Sequence, residues 1–181
     1  MRRSMLGMLV ALAALSTPLA AQASWAIGLA ATLGGGWQIE GVDFGLGQRV
    51  RAGPIQSVGF AARFGSFIDE GAILGGSRGF VSALALSART GRLELAQIGP
   101  ENNVTGLGFD LTFEVSGYLG SHSPLPQGGR WAALSVLPGL RVGNPGGGQL
   151  GILIGPTVFL GRPTDVHGFL AVRFEQPLAR R

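Results

Sequence analysis

The sequence predicts an all-β fold, a single antiparallel up-and-down barrel of about eight strands. Three observations carry that expectation. Apolar residues alternate with small or polar ones in segment after segment, a period of two that a strand can use and a helix cannot. Clusters of Gly, Pro and Asn divide those segments, as turns between strands require. The chain also combines 32 Gly and only 13% charged residues with a positive mean hydropathy of +0.35, unlike a disordered tail or an ordinary water-soluble domain.

The first 23 residues stand apart. Arg2 and Arg3 precede an uncharged apolar run over residues 5–15, Thr17 and Pro18 break it, and Ala21-Gln22-Ala23 offers small residues where a signal peptidase reads them. The run is well short of the ~20 residues of a spanning helix. Residues 1–23 are therefore expected to be a secretory signal cleaved after Ala23, and residues 24–181 a single β-barrel domain.

Charge and cysteine content narrow the functions. Four of the 14 basic residues are Arg2, Arg3, Arg180 and Arg181 at the chain ends; the other ten face ten Asp and Glu. A nucleic-acid surface needs a clustered positive excess, so no nucleic-acid partner is expected. The chain has no Cys, so an exported form must be held by packing or by lipid.

Taken in order, the strands begin with Trp25, Ile27, Leu29, Ala31 and Leu33, which alternate with Ala26, Gly28, Ala30 and Thr32. Residues 35–51 then form the largest candidate loop. Val58, Phe60, Ala62 and Phe64 alternate with Ser57, Gly59, Ala61, Arg63 and Gly65. A tight hairpin is expected at Thr90-Gly91, since pairing Arg89 with Arg92 sets Ala88 against Leu93, Ser87 against Glu94 and Leu86 against Leu95. The clearest strand covers residues 107–119, with Leu107, Phe109, Leu111, Phe113, Val115 and Leu119 on one face and Asp110, Thr112, Glu114, Ser116 and Tyr118 on the other. Ala132, Leu134, Val136, Leu140 and Val142 share a face, as do Leu150, Ile152, Ile154, Val158 and Leu160; Leu170, Val172 and Phe174 close the series. Pro138 and Pro156 fall inside predicted strands, where bulges or strand ends are expected to accommodate them.

Residue size decides which face is inside. Gly, Ala, Ser and Thr crowd the face opposite the apolar one, with Arg63, Arg89, Arg92, Glu94, Asp110, Glu114, Arg141, Arg173 and Glu175 among them. A water-facing exterior carries long hydrated side chains, Lys above all, and this chain has no Lys. A narrow lumen needs small residues for room and an outer face in lipid needs large apolar ones. The barrel is therefore expected to be transmembrane, with those nine charges as a lumen network and Tyr118 and Trp131 also inside. In lipid only a closed barrel lets strands satisfy every backbone group.

In length, strand count and alternation the chain resembles the small eight-stranded outer-membrane β-barrel proteins of diderm bacteria. Gly168, Leu170, Val172 and Phe174 at every second position of the last strand are similar to the C-terminal signal those families offer the assembly machinery. The resemblance implies an outer-membrane location, outer-membrane lipid and the assembly machinery as partners, a monomer, and a structural or surface-interaction role.

Chemistry-bearing motifs are sparse. Gly75-Gly76-Ser77-Arg78-Gly79 matches the G-x-S-x-G pattern without the strand-then-helix setting that a nucleophile needs. Ser121-His122-Ser123 is a His and hydroxyl cluster in a loop; lipid A deacylases use Ser and His on such barrels, but in a different arrangement. His167 lies near Asp165, and two His with no Cys do not make a zinc set. Asn103-Val104-Thr105 reads as a turn. No catalytic residue, cofactor or metal is expected. A soluble periplasmic barrel of lipocalin type, binding an apolar molecule inside, and an outer-membrane lipid A hydrolase are the alternative readings.

Overall fold

The computed structural model describes residues 23–34, 36–69, 78–100, 105–120, 130–144, 146–161 and 164–178. Residues 1–22, Gly75 to Ser77 of the G-x-S-x-G match, Asn103, Val104 and the Ser121-His122-Ser123 cluster lie outside them. The described residues form strands β1 (Ala23–Leu33), β2 (Trp37–Ala52), β3 (Ile55–Asp69), β4 (Arg78–Thr90), β5 (Leu93–Ile98), β6 (Thr105–Gly120), β7 (Arg130–Gly143), β8 (Gln149–Leu160) and β9 (Asp165–Pro177). Neighbours pair antiparallel, β9 returns to β1, and β4 closes onto β6. Because β4 and β5 lie end to end against β6, the wall has eight strands in up-and-down order.

The strand registers fix the shape of the wall. A path from Ala26 through its paired neighbours Gly45, Ala61, Ala85, Ser116, Ala133 and Phe159 arrives at Asp165, whereas Ala26 itself pairs with Glu175. The offset between Asp165 and Glu175 is the stagger that closes the barrel. With ordinary strand spacings it corresponds to a strand tilt of roughly 40°.

Outward positions carry the large apolar side chains and inward ones the small, polar and charged ones. Leu29 is 66% exposed, Leu86 65% and Ile154 61%, while Asp43, Asp110 and Glu114 are buried. The period of two thus divides lumen from exterior, with the greasy face outside.

Two expectations are corrected. Residues 35–51 are not a loop: most of them belong to β2, a strand of 16 residues. Its apolar phase inverts along its length, which hid it. Trp37 and Ile39 point inward while Glu40 is exposed, whereas further along Asp43 points inward and Val42, Phe44 and Leu46 are exposed. Nor does the chain reverse at Thr90-Gly91. The self-consistent local register is outweighed because β6 is long enough to pair both β4 and β5. The segment is instead a bulge: between the pairs Arg89 with Thr112 and Leu93 with Phe109, residues 90–92 oppose only residues 110–111. Thr90 Oγ1 accepts the Leu111 backbone N–H at 3.0 Å and so fills the gap in the ladder.

The prolines are also accommodated differently from expectation. Pro138 and Pro156 lie inside β7 and β8 without any register shift. Pairing between these strands lapses after Ser135 with Thr157 and resumes in the same register at Gly139 with Leu153. That register sets Pro138 opposite Ile154 and Pro156 opposite Val136, so both missing N–H groups fall in one seam. The ladders to the outer neighbours continue, Pro138 with Leu111 and Pro156 with Gly168. Gly155 permits the close approach, since a Cβ there would lie 2.1 Å from the Val136 carbonyl oxygen.

Candidate functional site: the charged lumen

Cross-strand pairing builds the lumen from the sequence. Inward side chains on neighbouring strands compete for space, and the arginines find it opposite glycine. Arg141 pairs with Gly108 on one side and Gly151 on the other, and Arg173 with Gly28 and Gly151. A Cβ at Gly28 would lie 2.9 Å from Arg173 Cγ, and one at Gly108 2.1 Å from Arg92 Nε. Much of the glycine on the inner wall is thus room for guanidinium groups.

Those groups form two four-membered clusters. In the first, Arg63 donates from Nη1 and Nη2 to the two carboxylate oxygens of Glu114, both at 2.6 Å, and from Nε to Asp43 at 3.4 Å. Arg173 donates from Nε to Asp43 at 2.7 Å and from Nη2 to Glu114 at 3.4 Å. Two guanidinium groups thus balance two carboxylates. Arg63 also lies 4.9 Å from the centre of the Phe169 ring. The bidentate geometry is the strong form of such a pair.

The second cluster repeats the arrangement nearer the end of the barrel where β1 starts and β9 ends. Arg89 donates to Glu175 at 2.7 and 3.1 Å and to Ser57 Oγ at 2.9 Å. Arg141 donates from Nη1 to Glu175 at 3.1 Å and from Nε to Asp110. Ser24 Oγ donates to Glu175 at 3.1 Å. Beyond these, Arg92 forms an ion pair with Glu94 at 2.9 Å and donates from Nη1 to Gln149 at 3.0 Å. All nine charges expected in the lumen are present in these contacts. Asp43 lies in the stretch where the sequence predicts a loop, and with it the two clusters and the Arg92–Glu94 pair balance five arginines against five carboxylates.

The two ends of the lumen differ. At the far end Trp37, Phe67, Tyr118, Trp131 and Phe159 form a buried cluster. Trp37 stacks on Phe67 at 5.5 Å, and Tyr118 stacks on Trp131 at 5.7 Å with planes 3° apart. His167 packs 4.0 Å from Trp37, its Nε2 lies 3.0 Å from Asp165 Oδ2, and the Trp37 indole N–H donates to that same oxygen at 3.1 Å. His167 is therefore part of an aromatic plug. At the termini end the second cluster floors a cavity of about 740 Å³, whose wall includes Arg49, Arg92, Glu94 and Gln149. Among the described residues the lumen thus holds a cavity at the termini end and a packed aromatic cluster at the other.

No protein-family model matches the chain, and no curated protein matches it.

Proposed function

We propose that the chain is an outer-membrane β-barrel protein with a structural or surface-interaction role, its partners being outer-membrane lipid and the barrel assembly machinery. One observation carries the reading: the exterior is an apolar belt around a closed wall, and the charges of the ion-paired clusters are turned inward. Along β6 every outward position from Leu107 to Leu119 is apolar or Gly. At ordinary strand rise and the tilt above, that run spans roughly 30 Å along the axis, against the ~25 Å apolar band of such barrels. Monomeric soluble proteins rarely expose apolar patches beyond a few hundred Å².

The other readings have less support. A soluble barrel holding an apolar ligand needs an apolar interior, and here the described lumen holds ion pairs and an aromatic plug. The hydrolase reading rested on Ser121, His122 and Ser123, which lie outside the described residues.

Single cysteines at Val115 and Ser116, adjacent residues of β6 on opposite faces, test the proposal. In reconstituted vesicles a lipid-soluble maleimide should modify V115C and spare S116C. Equal modification of both, or recovery of the native protein in the soluble fraction without detergent, would refute it. Ile154→Arg, on the outer belt, should cost about 2–4 kcal/mol in lipid.

A further inference from the structure

We infer that the lumen holds a buried water site between its two charge clusters. The site is anchored on Thr112 and shared by Asp43 and Arg173 of one cluster with Arg89, Arg141 and Glu175 of the other. A second cavity, of about 60 Å³, lies there, and those six residues line it. One water needs roughly 10–15 Å³ of such space, so the cavity takes more than one. Thr112 is the inward residue of β6 between Asp110 and Glu114, which belong to different clusters. Its Oγ1 is buried and has no hydrogen-bond partner among the described residues. A hydroxyl buried without a partner is destabilising, and a polar cavity beside it is where water fits.

The wall leaves the room for it. In this layer β1 to β3 turn in only small residues, Ala26, Gly45, Gly59 and Ala61 among them. Each guanidinium group donates to carboxylates of its own cluster, and the space between is left to short side chains. Ser57 and Ser87 stand in the same wall. Water on Thr112 therefore meets hydroxyl and charged groups, donors and acceptors alike, as the two to four partners of a buried water require. The ligand is water and not an ion because each cluster is already neutral, two guanidinium groups against two carboxylates.

The site has a supply. Ser24, Ser57, Arg89, Arg141 and Glu175 line this cavity and the larger one at the termini end alike. Asp110 Oδ1, two residues before Thr112 on the same face of β6, is also buried without a hydrogen-bond partner, and Asp110 belongs to the wall of the larger cavity. The unpartnered oxygens thus follow one another from the large cavity toward the small one. Water reaches the site past the second cluster and hydrates the first on the side of Asp43 and Arg173.

A crystal structure of the detergent-solubilised barrel, at a resolution that shows ordered water, tests the inference independently of where the protein resides. Density is expected at hydrogen-bond distance from Thr112 Oγ1, roughly 2.5–3.0 Å. Thr112→Val, which keeps the side chain's shape and removes its hydroxyl, should lose that density, and Thr112→Ser should keep it. Urea unfolding adds a readout of opposite sign for the two cases. If the hydroxyl holds water, T112V shifts the midpoint to lower urea; if it is dry, replacing an unpartnered hydroxyl by a methyl raises the midpoint. Heat-dependent gel migration reports that each variant still forms the barrel. An empty cavity in the wild type, anomalous density at the site in bromide-soaked crystals, or a T112V midpoint that is raised or unchanged would overturn the inference.

Discussion

Replacing Glu114 by Gln removes one negative charge from the middle of the lumen while keeping the side chain's shape. Glu114 is buried and accepts two hydrogen bonds of 2.6 Å from Arg63 and a longer one of 3.4 Å from Arg173. After the change two guanidinium groups share only Asp43, and the amide N–H₂ of the new side chain faces a guanidinium donor. Removing one partner of a buried ion pair costs about 3–5 kcal/mol, because the other charge is left uncompensated. That is a large share of a typical stability of about 5–15 kcal/mol. The double variant Arg63→Met, Glu114→Gln leaves Asp43 and Arg173, which are 2.5 Å apart, as a balanced pair. Its loss should be smaller than that of E114Q alone, since replacing a whole buried pair by apolar packing is often neutral. Equilibrium urea unfolding in vesicles, followed by tryptophan fluorescence, measures both. The reasoning fails if E114Q lies within about 0.5 kcal/mol of wild type, the range of an ordinary surface change, or if the double variant loses the sum of its two single losses.

Two further outcomes follow from the wall itself. Gly65→Ala should lower the unfolding midpoint by the equivalent of about 1–3 kcal/mol, because its Cβ would lie only 1.9 Å from the Glu40 carbonyl oxygen, whereas Gly117→Ala, with nothing within 4 Å, should leave the midpoint in place. Pro138→Val and Pro156→Val each restore one N–H to the β7–β8 seam and should add about 1 kcal/mol apiece, with slower hydrogen exchange in that seam; unchanged exchange would show that the seam is already closed by other contacts.

The strands that the sequence reveals clearly are those whose outer face is large and apolar over their whole length. β6 is the best case: its apolar residues from Leu107 to Leu119 keep one parity throughout. β2 defeats the same reading because it crosses from plug to belt. Trp37 and Ile39 are apolar on the inside, Val42 and Phe44 are apolar on the outside, and the reversal at Glu40-Gly41 cancels the period. Losing β2 meant losing Asp43, so five arginines appeared to face four carboxylates. The bulge at Thr90-Gly91 was illegible for another reason. Antiparallel pairing of residues 86–89 with 92–95 satisfies local polarity as well as the true arrangement does, and only the distant strand β6 distinguishes them. The lumen charges themselves were legible because parity alone places them, but which arginine meets which carboxylate depends on stagger around the wall.

The distribution of the ten lumen charges along the chain bears on how the barrel is assembled. Asp43 on β2 and Arg63 on β3 belong to one hairpin and face each other in register. From β4 to β7 come Arg89, Arg92 and Arg141 with Glu94, Asp110 and Glu114, three of each sign. β9 brings Arg173 together with Glu175. Counted over these ten charges, each of the three blocks is neutral, while Arg49 on β2 lies in the wall of the termini-end cavity besides. The balance is reached block by block and not hairpin by hairpin: among these ten charges β6 leaves the inner face with one negative charge in excess until Arg141 arrives on β7, so the match is complete before β9 closes on β1.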